Sequence, residues 1–422
     1  MKDYLVPLNY PRAHDVLRRL SVYTEYSAAG AQTALGTLRQ SYPLIFSRMT
    51  CRRFARDAVM LEYPGAGVSG PLLFTSHVDA PVFPSILDCP DEMPLTVPLC
   101  RAHLVALLEA LEELLSSGYV PSGDVILCLS MDGLSGGEGA KSMARHLETM
   151  GLVPCLVLDY GGYASMEAFR TFVPEGTPFA LIGIQEKGEW QGRVNVVAGE
   201  PGSLRKPGEQ LLKTGYGMLM HPNRARLCAA SESMLKALGR KAPLPQRWAV
   251  SHPRLFFPLL RFLWRKRSVL RQFFLSERAF SAFSSDGDCL TAPTEASFRF
   301  RYTFVPGARR EQLRQALRQT AKLHQGEIAF WVDEPASSLS PHQGPAWDAL
   351  CTAVEIQFER ALILPCLCPF PTDGRFYGSL HAPVYRFSPY LLTGREALKG
   401  QCTVSTVTLQ NAVQFFRSVF TV

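Results

Sequence analysis

The sequence has no apolar run long enough to cross a bilayer. The longest candidate, Leu255 to Trp264, is short and is interrupted by Arg261. Internal repeats and low-complexity tracts are also absent. The first residues, MKDYLVPLNYPRAHD, lack a basic stretch followed by an apolar one, so we expect no secretory signal. These absences argue against a membrane-spanning, repetitive or secreted protein and predict a cytoplasmic location.

A disulfide framework is missing as well. The eleven cysteines are odd in number and follow no framework spacing, so we expect reduced, buried thiols. Hydrophobic residues make up 47% of the chain and charged residues 19%, which allows a packed core and argues against disorder. A chain of 422 residues is too long for one compact core and predicts two domains, or one domain with a large insertion.

Acidic residues are absent from one long segment, between Ser233 and Ser276. This segment contains ten basic residues, more than the net charge of +7 of the whole chain. The rest of the chain is close to neutral, so we expect no nucleic-acid partner. The ten are Lys236, Arg240, Lys241, Arg247, Arg254, Arg261, Arg265, Lys266, Arg267 and Arg271.

The N-terminal part alternates predicted strands and helices. PLLFTSHVD, DVILCLSMD and PCLVLDYGG are short apolar runs typical of buried parallel strands. Between them, AHLVALLEALEELLSSG and GGEGAKSMARHLETMG show helical spacing, and Gly118 ends the first helix. Successive strand–helix–strand units predict an α/β fold, a mostly parallel sheet flanked by helices with its sites at the carboxyl ends of the strands.

The pattern changes after Glu186. GEWQGRVNVVAGE and ASFRFRYTFVPG are typical of half-exposed strands, and ARREQLRQALRQTAKLH is typical of a helix. From about Pro335 the first pattern returns with the helix GPAWDALCTAVEIQF. We therefore predict an α/β domain formed by residues 1–186 and 335–422, with an α+β domain, residues 187–334, inserted into it.

Several phrases occur in the order found in one enzyme family. SYPLIFSRMT, GPLLFTSHVDAPV and PTDGRFYGSLHAPVYRFSP resemble the M20 zinc metallopeptidases, in the branch of carboxypeptidase S and aminoacylase, and the resemblance runs through nearly the whole chain. It implies a zinc-peptidase-like catalytic domain, an inserted lid or dimerisation domain, and hydrolysis of peptide or amide C–N bonds. In the family, two zinc ions about 3.5–4 Å apart share a bridging carboxylate, and a glutamate acts as general base.

The resemblance assigns a position in this chain to each part of that site. His77 and Asp159 stand at metal-ligand positions, and Asp79 stands where the family has an aspartate that orients the histidine. The general base would stand at Gly133. The three other ligand positions, including the bridging one, hold the apolar residues Leu99, Leu134 and Phe376.

Substitutes for the missing ligands are few. Cys100 and His103 would reach ligand positions if the alignment were shifted, but we prefer to interpret them as a cysteine at a helix start and a solvent-facing histidine. Asp132, just before the lost pair, is a further candidate ligand. Glu138 is expected to be a solvated acid in the first turn of a helix.

Positions in and near the inserted domain concern the substrate. Ser203 stands where the family has a histidine that stabilises the oxyanion, and Thr303 stands where it has an arginine that binds the substrate carboxylate. Arg301, two residues earlier on the same strand face, is a candidate replacement for that arginine. Arg375, in the phrase with Phe376, is a second candidate for substrate binding.

The losses bear directly on catalysis. Without the bridging carboxylate, two dications at ~3.5 Å repel by roughly 20 kcal/mol at an effective dielectric constant of ~20. We therefore expect no two-zinc centre, and either no zinc or one weakly held ion. The preferred interpretation is an inactive family member that binds a small-molecule or peptide ligand. The alternative is a hydrolase with one metal held by His77, Asp159 and Cys100 or Asp132.

A third interpretation concerns the basic segment HPRLFFPLLRFLWRKRSVLRQFFL. Apolar residues interleaved with cations suit an anionic membrane surface. The competing and preferred interpretation is a helix that packs within the inserted domain, with arginine stems covering apolar surface. Pro258 is expected to make any helix begin near or after it. A homodimer through the inserted domain, found in some relatives, is also expected.

Overall fold

The computed structural model describes residues 10–81, 94–167, 169, 176–198, 206–223, 225–244, 246–263, 268–286 and 294–421. The chain divides into two compact units. The first unit comprises Met1–Glu186, Ala229–Val269 and Ser337–Val422, and the second comprises Lys187–Cys228 and Leu270–Ala336. The second unit differs from the insertion expected at 187–334 chiefly because Ala229–Val269 groups with the first unit.

The strands are numbered here in chain order. They are β1 Thr50–Arg53, β2 Val59–Tyr63, β3 Leu72–His77, β4 Leu95–Pro98, β5 Val125–Ser130, β6 Leu156–Asp159, β7 Tyr163–Ser165, β8 Phe179–Glu186, β9 Gly188–Val197, β10 Glu277–Ser285, β11 Glu295–Phe304, β12 Gly326–Glu334, β13 Leu362–Cys368, β14 Val384–Arg386 and β15 Gln401–Val404.

The helices are numbered in the same way. They are α1 Pro11–Leu20, α2 Ala28–Ser41, α3 Pro43–Arg48, α4 Leu99–Ser116, α5 Glu138–Thr149, α6 Pro207–Met220, α7 Ala229–Gly239, α8 Gln246–Ser251, α9 Pro253–Leu263, α10 Ser268–Arg271, α11 Arg310–Leu323, α12 Pro345–Gln357, α13 Gly394–Lys399 and α14 Thr406–Thr421. Short 3₁₀ segments lie at Ala55–Asp57, Gly133–Ser135 and Asp373–Leu380.

The main sheet of the first unit has the order β1-β2-β5-β3-β6-β14-β8-β13, and β7 pairs with β8. The central strands β5, β3, β6 and β14 pair in parallel, and so do β8 and β13. Antiparallel pairs attach β1 and β2 at one side and join β14 to β8. The parallel centre flanked by helices confirms the predicted fold class and brings the carboxyl ends of β5, β3 and β6 to one edge.

Helix α4 covers part of one face of the main sheet, where it contacts β3. Leucine, alanine and valine make up most of this helix, and it contacts α14, α1, α3 and β3, so nearly all of it is buried. Arg101, His103, Glu109 and Glu112 are buried with it. Gly118, just beyond its end, has a φ of +76°, a conformation that favours glycine. The predicted helix stop is therefore confirmed.

The second unit contains a four-stranded antiparallel sheet of order β10-β11-β9-β12. Helices α6 and α11 contact this sheet and each other. Trp190, Phe298, Phe300 and Tyr302 form the core beneath them, because alternate residues of β9 and β11 point to the same face. This unit has the α+β composition predicted for the insertion.

Two predictions about the basic segment are wrong. Helix α9 begins at Pro253 and contains Pro258 in its interior, where the missing amide leaves one helical carbonyl unbonded. The helix also groups with the first unit and contacts α7 and α8, so it does not pack within the inserted sheet domain. Among the described residues, no helix is both long and apolar enough to cross a membrane.

Candidate functional site

Three acid and imidazole side chains lie along the carboxyl edge of the parallel sheet. His77 ends β3, Asp159 ends β6, and Asp132 lies two residues beyond β5. Because β5, β3 and β6 are neighbours, the fold brings these residues together. All three side chains are almost completely buried, so their partners decide their chemistry.

The imidazole of His77 has a hydrogen-bond partner on each ring nitrogen. Its Nδ1 lies 2.7 Å from the carbonyl oxygen of Asp79, and its Nε2 lies 2.9 Å from the hydroxyl of Tyr160. That hydroxyl donates its own proton to the carbonyl of Pro371, at 2.7 Å. A carbonyl only accepts, and the Tyr160 proton is already engaged, so both ring nitrogens must donate. This arrangement of partners favours the imidazolium form of His77.

The electrostatics of the site agree with this assignment. Burial opposes the charged ring, whereas Cys100, the hydrogen bond and charge of Asp79, and the charge of Asp373 favour it. The net effect raises the pKa of His77 well above its ordinary value. A histidine binds a metal only through an unprotonated nitrogen. His77 as arranged here has no such nitrogen and does not fit the role of a metal ligand.

Asp79 holds the histidine and an adjacent turn at the same time. Its Oδ1 lies 3.1 Å from Nδ1 of His77, which is the orienting contact that the resemblance implies. The same carboxylate accepts the amides of Gly133 and Leu134, each at 2.9 Å. The turn Gly133–Ser135, which carries the position of the lost general base, is thereby fixed against the imidazole.

Gly133 has no room for a side chain. A β-carbon added there would lie 2.4 Å from Cγ and 2.6 Å from Cβ of His77, closer than real contacts allow. A glutamate at this position therefore requires the turn or the ring to move. The position that the resemblance assigns to the general base therefore has no space for a glutamate side chain as the turn now stands.

Each carboxylate oxygen of Asp159 accepts a hydrogen bond from a backbone amide. Its Oδ2 accepts the amide of Gly374 at 2.6 Å, and its Oδ1 accepts the amide of Tyr160 at 2.7 Å. Burial and the negative charge of Asp373 raise the pKa of Asp159 to about 8. Asp373 itself accepts the hydroxyl of Ser130, and burial raises the pKa of Asp373 as well. Protein donors hold these carboxyl groups, and burial favours their protonated forms.

The carboxylate of Asp132 accepts hydrogen bonds from the first turn of α5. Its carboxylate accepts the amides of Glu138 at 2.9 Å and Gly139 at 3.1 Å. Burial and the charge of Asp373 raise the pKa of Asp132 to about 6. Glu138 lies in that first turn, half-exposed and paired with Lys141 at 2.7 Å, as predicted for a solvated acid. Asp132 thus has a structural role that competes with metal binding.

The other ligand positions are occupied by packing residues. Leu99 is the first residue of α4 and is buried. Leu134 is half-buried in its 3₁₀ turn. Phe376 packs against the core cluster that contains Met143 and Tyr377. The Nζ of Lys141 lies 5.2 Å from the centroid of the Phe376 ring, so a cation borders the place where the family has its histidine ligand.

The residues considered as substitutes are both buried. Cys100 lies at the start of α4 as expected, and burial raises the pKa of its thiol. The solvent-facing position expected for His103 is wrong, because α4 is covered on nearly every side. His103 is fully buried, its Nδ1 lies 3.2 Å from Ser388 Oγ, and burial lowers its pKa to about 3.

The candidate substrate-binding residues are engaged in local contacts. Arg301, on β11 of the second unit, bonds to Glu189 Oε1 at 2.5 Å, and Thr303 accepts the amide of Glu277. Arg375, in the first unit, donates to the carbonyl of Thr372 at 3.0 Å. Ser203 lies outside the described residues.

Sequence reasoning missed the residue that completes the His77 site. Tyr160 directly follows Asp159, but it lies 83 positions from His77 and no spacing rule connects the two. Sequence reasoning also missed a buried ion pair, in which Nη2 of Arg386 donates to Oε1 of Glu186 at 3.0 Å. Glu186 additionally accepts the amide of Thr372, next to Asp373. Among the described residues, no group of three or more His, Cys, Asp or Glu side chains is placed to hold a metal ion.

Comparison with known proteins gives the relationships of this chain. No family model matches it. It is 21% identical over 398 residues to a probable carboxypeptidase S-like protein of Dictyostelium discoideum. The aligned region covers 89% of this chain and 76% of that protein. It is 25% identical over 303 residues to the N-fatty-acyl-amino acid synthase/hydrolase PM20D1 of Homo sapiens, covering 68% of this chain. That second match spans only 59% of the human protein, less than two thirds of its length.

The fold has close counterparts among solved structures. An M20 family metallo-carboxypeptidase from Sulfolobus solfataricus superposes with a TM-score of 0.66 at 14% identity, covering 97% of this chain and 98% of the other. The match shows that the chain has the fold of this M20 family metallo-carboxypeptidase. Together with the two sequence relatives, it confirms the resemblance to the M20 family inferred from the sequence.

Proposed function

We propose that this chain is a non-catalytic member of the M20 family that binds a small-molecule or peptide ligand without hydrolysing it. The observation that carries the proposal is the pair of hydrogen bonds on His77, which leaves no ring nitrogen for a metal. The imidazolium supplies positive charge to a cluster of buried carboxyl groups, the task that the metal ions perform in active relatives. A proton on His77 thus takes over the electrostatic role of the metal.

The single-metal alternative has less support. It would need His77, Asp159 and either Cys100 or Asp132 to release their present partners. Each carboxylate holds two amide donors, and each amide that a metal displaced would be left buried without an acceptor, at a cost of about 1–3 kcal/mol. Closure of the space at Gly133 also removes the place from which a general base would act.

The human relative is named for N-fatty-acyl amino acids, so we propose N-acyl amino acids as the first ligand class to examine. The described cysteines are free thiols, which supports the proposed cytoplasmic location. In this proposal zinc is not a resident cofactor.

The test combines metal analysis with turnover. Protein purified without chelator should contain well under one zinc per chain, and it should not hydrolyse N-acyl amino acids or dipeptides above background with zinc added. Isothermal calorimetry with an N-acyl amino acid measures whether the intact amide is bound. Turnover that a chelator abolishes, with stoichiometric zinc that is lost in His77→Ala, would refute the proposal in favour of the single-metal hydrolase.

A further inference from the structure

Within the part of the chain that the structure describes, helix α9 is covered mainly on one side. It contacts α7 and α8 of the first unit, and α7 in turn lies against the edge strand β13. The covered side of α9 contains Pro253 and Leu260, both of which are buried. The helix is thereby held on the first unit while its opposite side remains open among the described residues.

The open side carries a continuous apolar stripe. Leu255, Leu259 and Phe262 follow the spacing i, i+4, i+7, which places them on one face of the helix. They are 68%, 50% and 65% exposed. Trp248 of α8 is 59% exposed and packs against Phe256, with ring centroids 4.7 Å apart, so it extends the same surface. Clustered exposed apolar side chains of this size mark an interaction surface.

Cations border this stripe. Arg254 and Arg261 recur seven residues apart beside it, and Arg247 lies on α8; all three are exposed. The acid nearest in sequence, Glu232, is neutralised by Lys236 at 2.8 Å and Arg254 at 2.9 Å. The sequence has no other acid up to Glu277, so no acid of this segment offsets the charges of Arg247 and Arg261 beside the apolar stripe.

We propose that the exposed face of α8 and α9 binds the surface of an anionic lipid bilayer. The apolar stripe would enter the interface between headgroups and acyl chains, and the arginines would contact the anionic headgroups. Helix α9 has 11 residues, too few to span the hydrocarbon core, so the contact is peripheral. Charge complementarity favours this partner over a second copy of the chain, which would bring equal positive charges together. The inference does not depend on the proposed loss of catalysis.

The experiment is flotation of the full chain with vesicles of phosphatidylcholine, with or without 30% phosphatidylserine, at low and moderate salt. Binding should require phosphatidylserine and fall as salt rises. Replacing Arg247 and Arg261 by Glu removes two cations and should weaken binding by roughly 25-fold or more, at about five-fold per cation. Leu255→Ser, Leu259→Ser and Phe262→Ser together should weaken it at least ten-fold.

The matched control is Arg145→Glu with Arg395→Glu. It makes the same change in net charge at exposed residues outside α8 and α9, and it should bind vesicles like the unchanged chain. Thermal unfolding checks that every variant remains folded. Absence of vesicle binding at low salt, or equal loss in the control and the α8–α9 charge variant, would overturn the proposal. So would a dimer that the triple serine variant dissociates without any vesicle binding.

Discussion

The Nε2 atom of His77 lies 2.9 Å from the hydroxyl oxygen of Tyr160, at the nitrogen that is not bonded to the carbonyl of Asp79. Since the hydroxyl proton is donated to Pro371, Tyr160 can only accept from this nitrogen. Tyr160 therefore keeps the imidazole protonated and occupies its remaining metal-binding nitrogen. One tyrosine thus accounts for both the charge of His77 and its unsuitability as a ligand.

We expect both ring nitrogens of His77 to carry protons at pH 7, as seen in two-dimensional 1H–15N NMR spectra of the histidine side chains. Tyr160→Phe removes one acceptor and should lower the pKa of His77. It should also reduce the free energy of unfolding by about 1–3 kcal/mol.

Tyr385→Phe is the matched control, because the buried Tyr385 hydroxyl also donates to a proline carbonyl, that of Pro341 at 2.7 Å. It should lower stability without changing the His77 signals. A neutral His77 in the unchanged chain at pH 7 would contradict the assignment.

Gly133→Ala should destabilise the protein, because the new methyl group would lie within 3 Å of the imidazole of His77. We expect a loss of about 1–3 kcal/mol in urea unfolding, typical of overpacking. Gly36→Ala, inside α2 with open space around the position, should instead be neutral or stabilise by up to about 1 kcal/mol. Equal effects of the two changes would show that the turn adjusts freely.

Stability should fall as pH rises from 7 to 8, above the range in which the buried, neutral His103 makes stability increase with pH. The folded pKa of Asp159 is raised to about 8, and that of His77 is raised well above its ordinary value. Each group therefore keeps its proton to a higher pH in the folded than in the unfolded state. The native state binds more protons across this window, so the free energy of unfolding decreases by up to about 1.4 kcal/mol per pH unit for each proton.

Urea unfolding at pH 7 and 8 measures this dependence. Asp159→Asn should be less stable overall but should show a shallower fall, because one titrating group has been removed. Glu138→Gln, at a half-exposed acid, should keep the slope of the unchanged chain. A stability that stays constant or increases between pH 7 and 8 would contradict the raised pKa of Asp159.

Restoring the lost ligands should not restore an enzyme. In a variant with Leu99→Asp, Leu134→Glu and Phe376→His, zinc affinity measured by equilibrium dialysis should remain weak while Tyr160 accepts from His77. Addition of Tyr160→Phe should raise that affinity, because it frees a ring nitrogen. Hydrolysis should stay undetectable in both, since Gly133 leaves no space for the general base. Equal zinc affinity with and without Tyr160 would contradict the role assigned to it.

The sequence by itself determined the fold class and the order of elements. Apolar runs such as the start of LLFTSH and the leucine-rich helix α4 are best buried, in a parallel sheet covered by helices. The end of a helix could also be predicted from the sequence, as Gly118 after α4 shows. Resemblance in sequence also identified His77, Asp79 and Asp159 as neighbours at one sheet edge, because that edge collects the carboxyl ends of parallel strands.

Only the tertiary structure decided what these residues do. Protonation depends on partners brought from distant segments, and neither Tyr160 nor Pro371 is near His77 in sequence. The burial of His103 depends on how α14 packs against α4, and the exposure of Leu255 and Phe262 depends on which unit holds α9. The periodicity of a sequence predicts which residues share a face of a helix or strand. Whether that face is buried depends on the neighbouring elements. Where a proton resides depends on the nearest donor or acceptor.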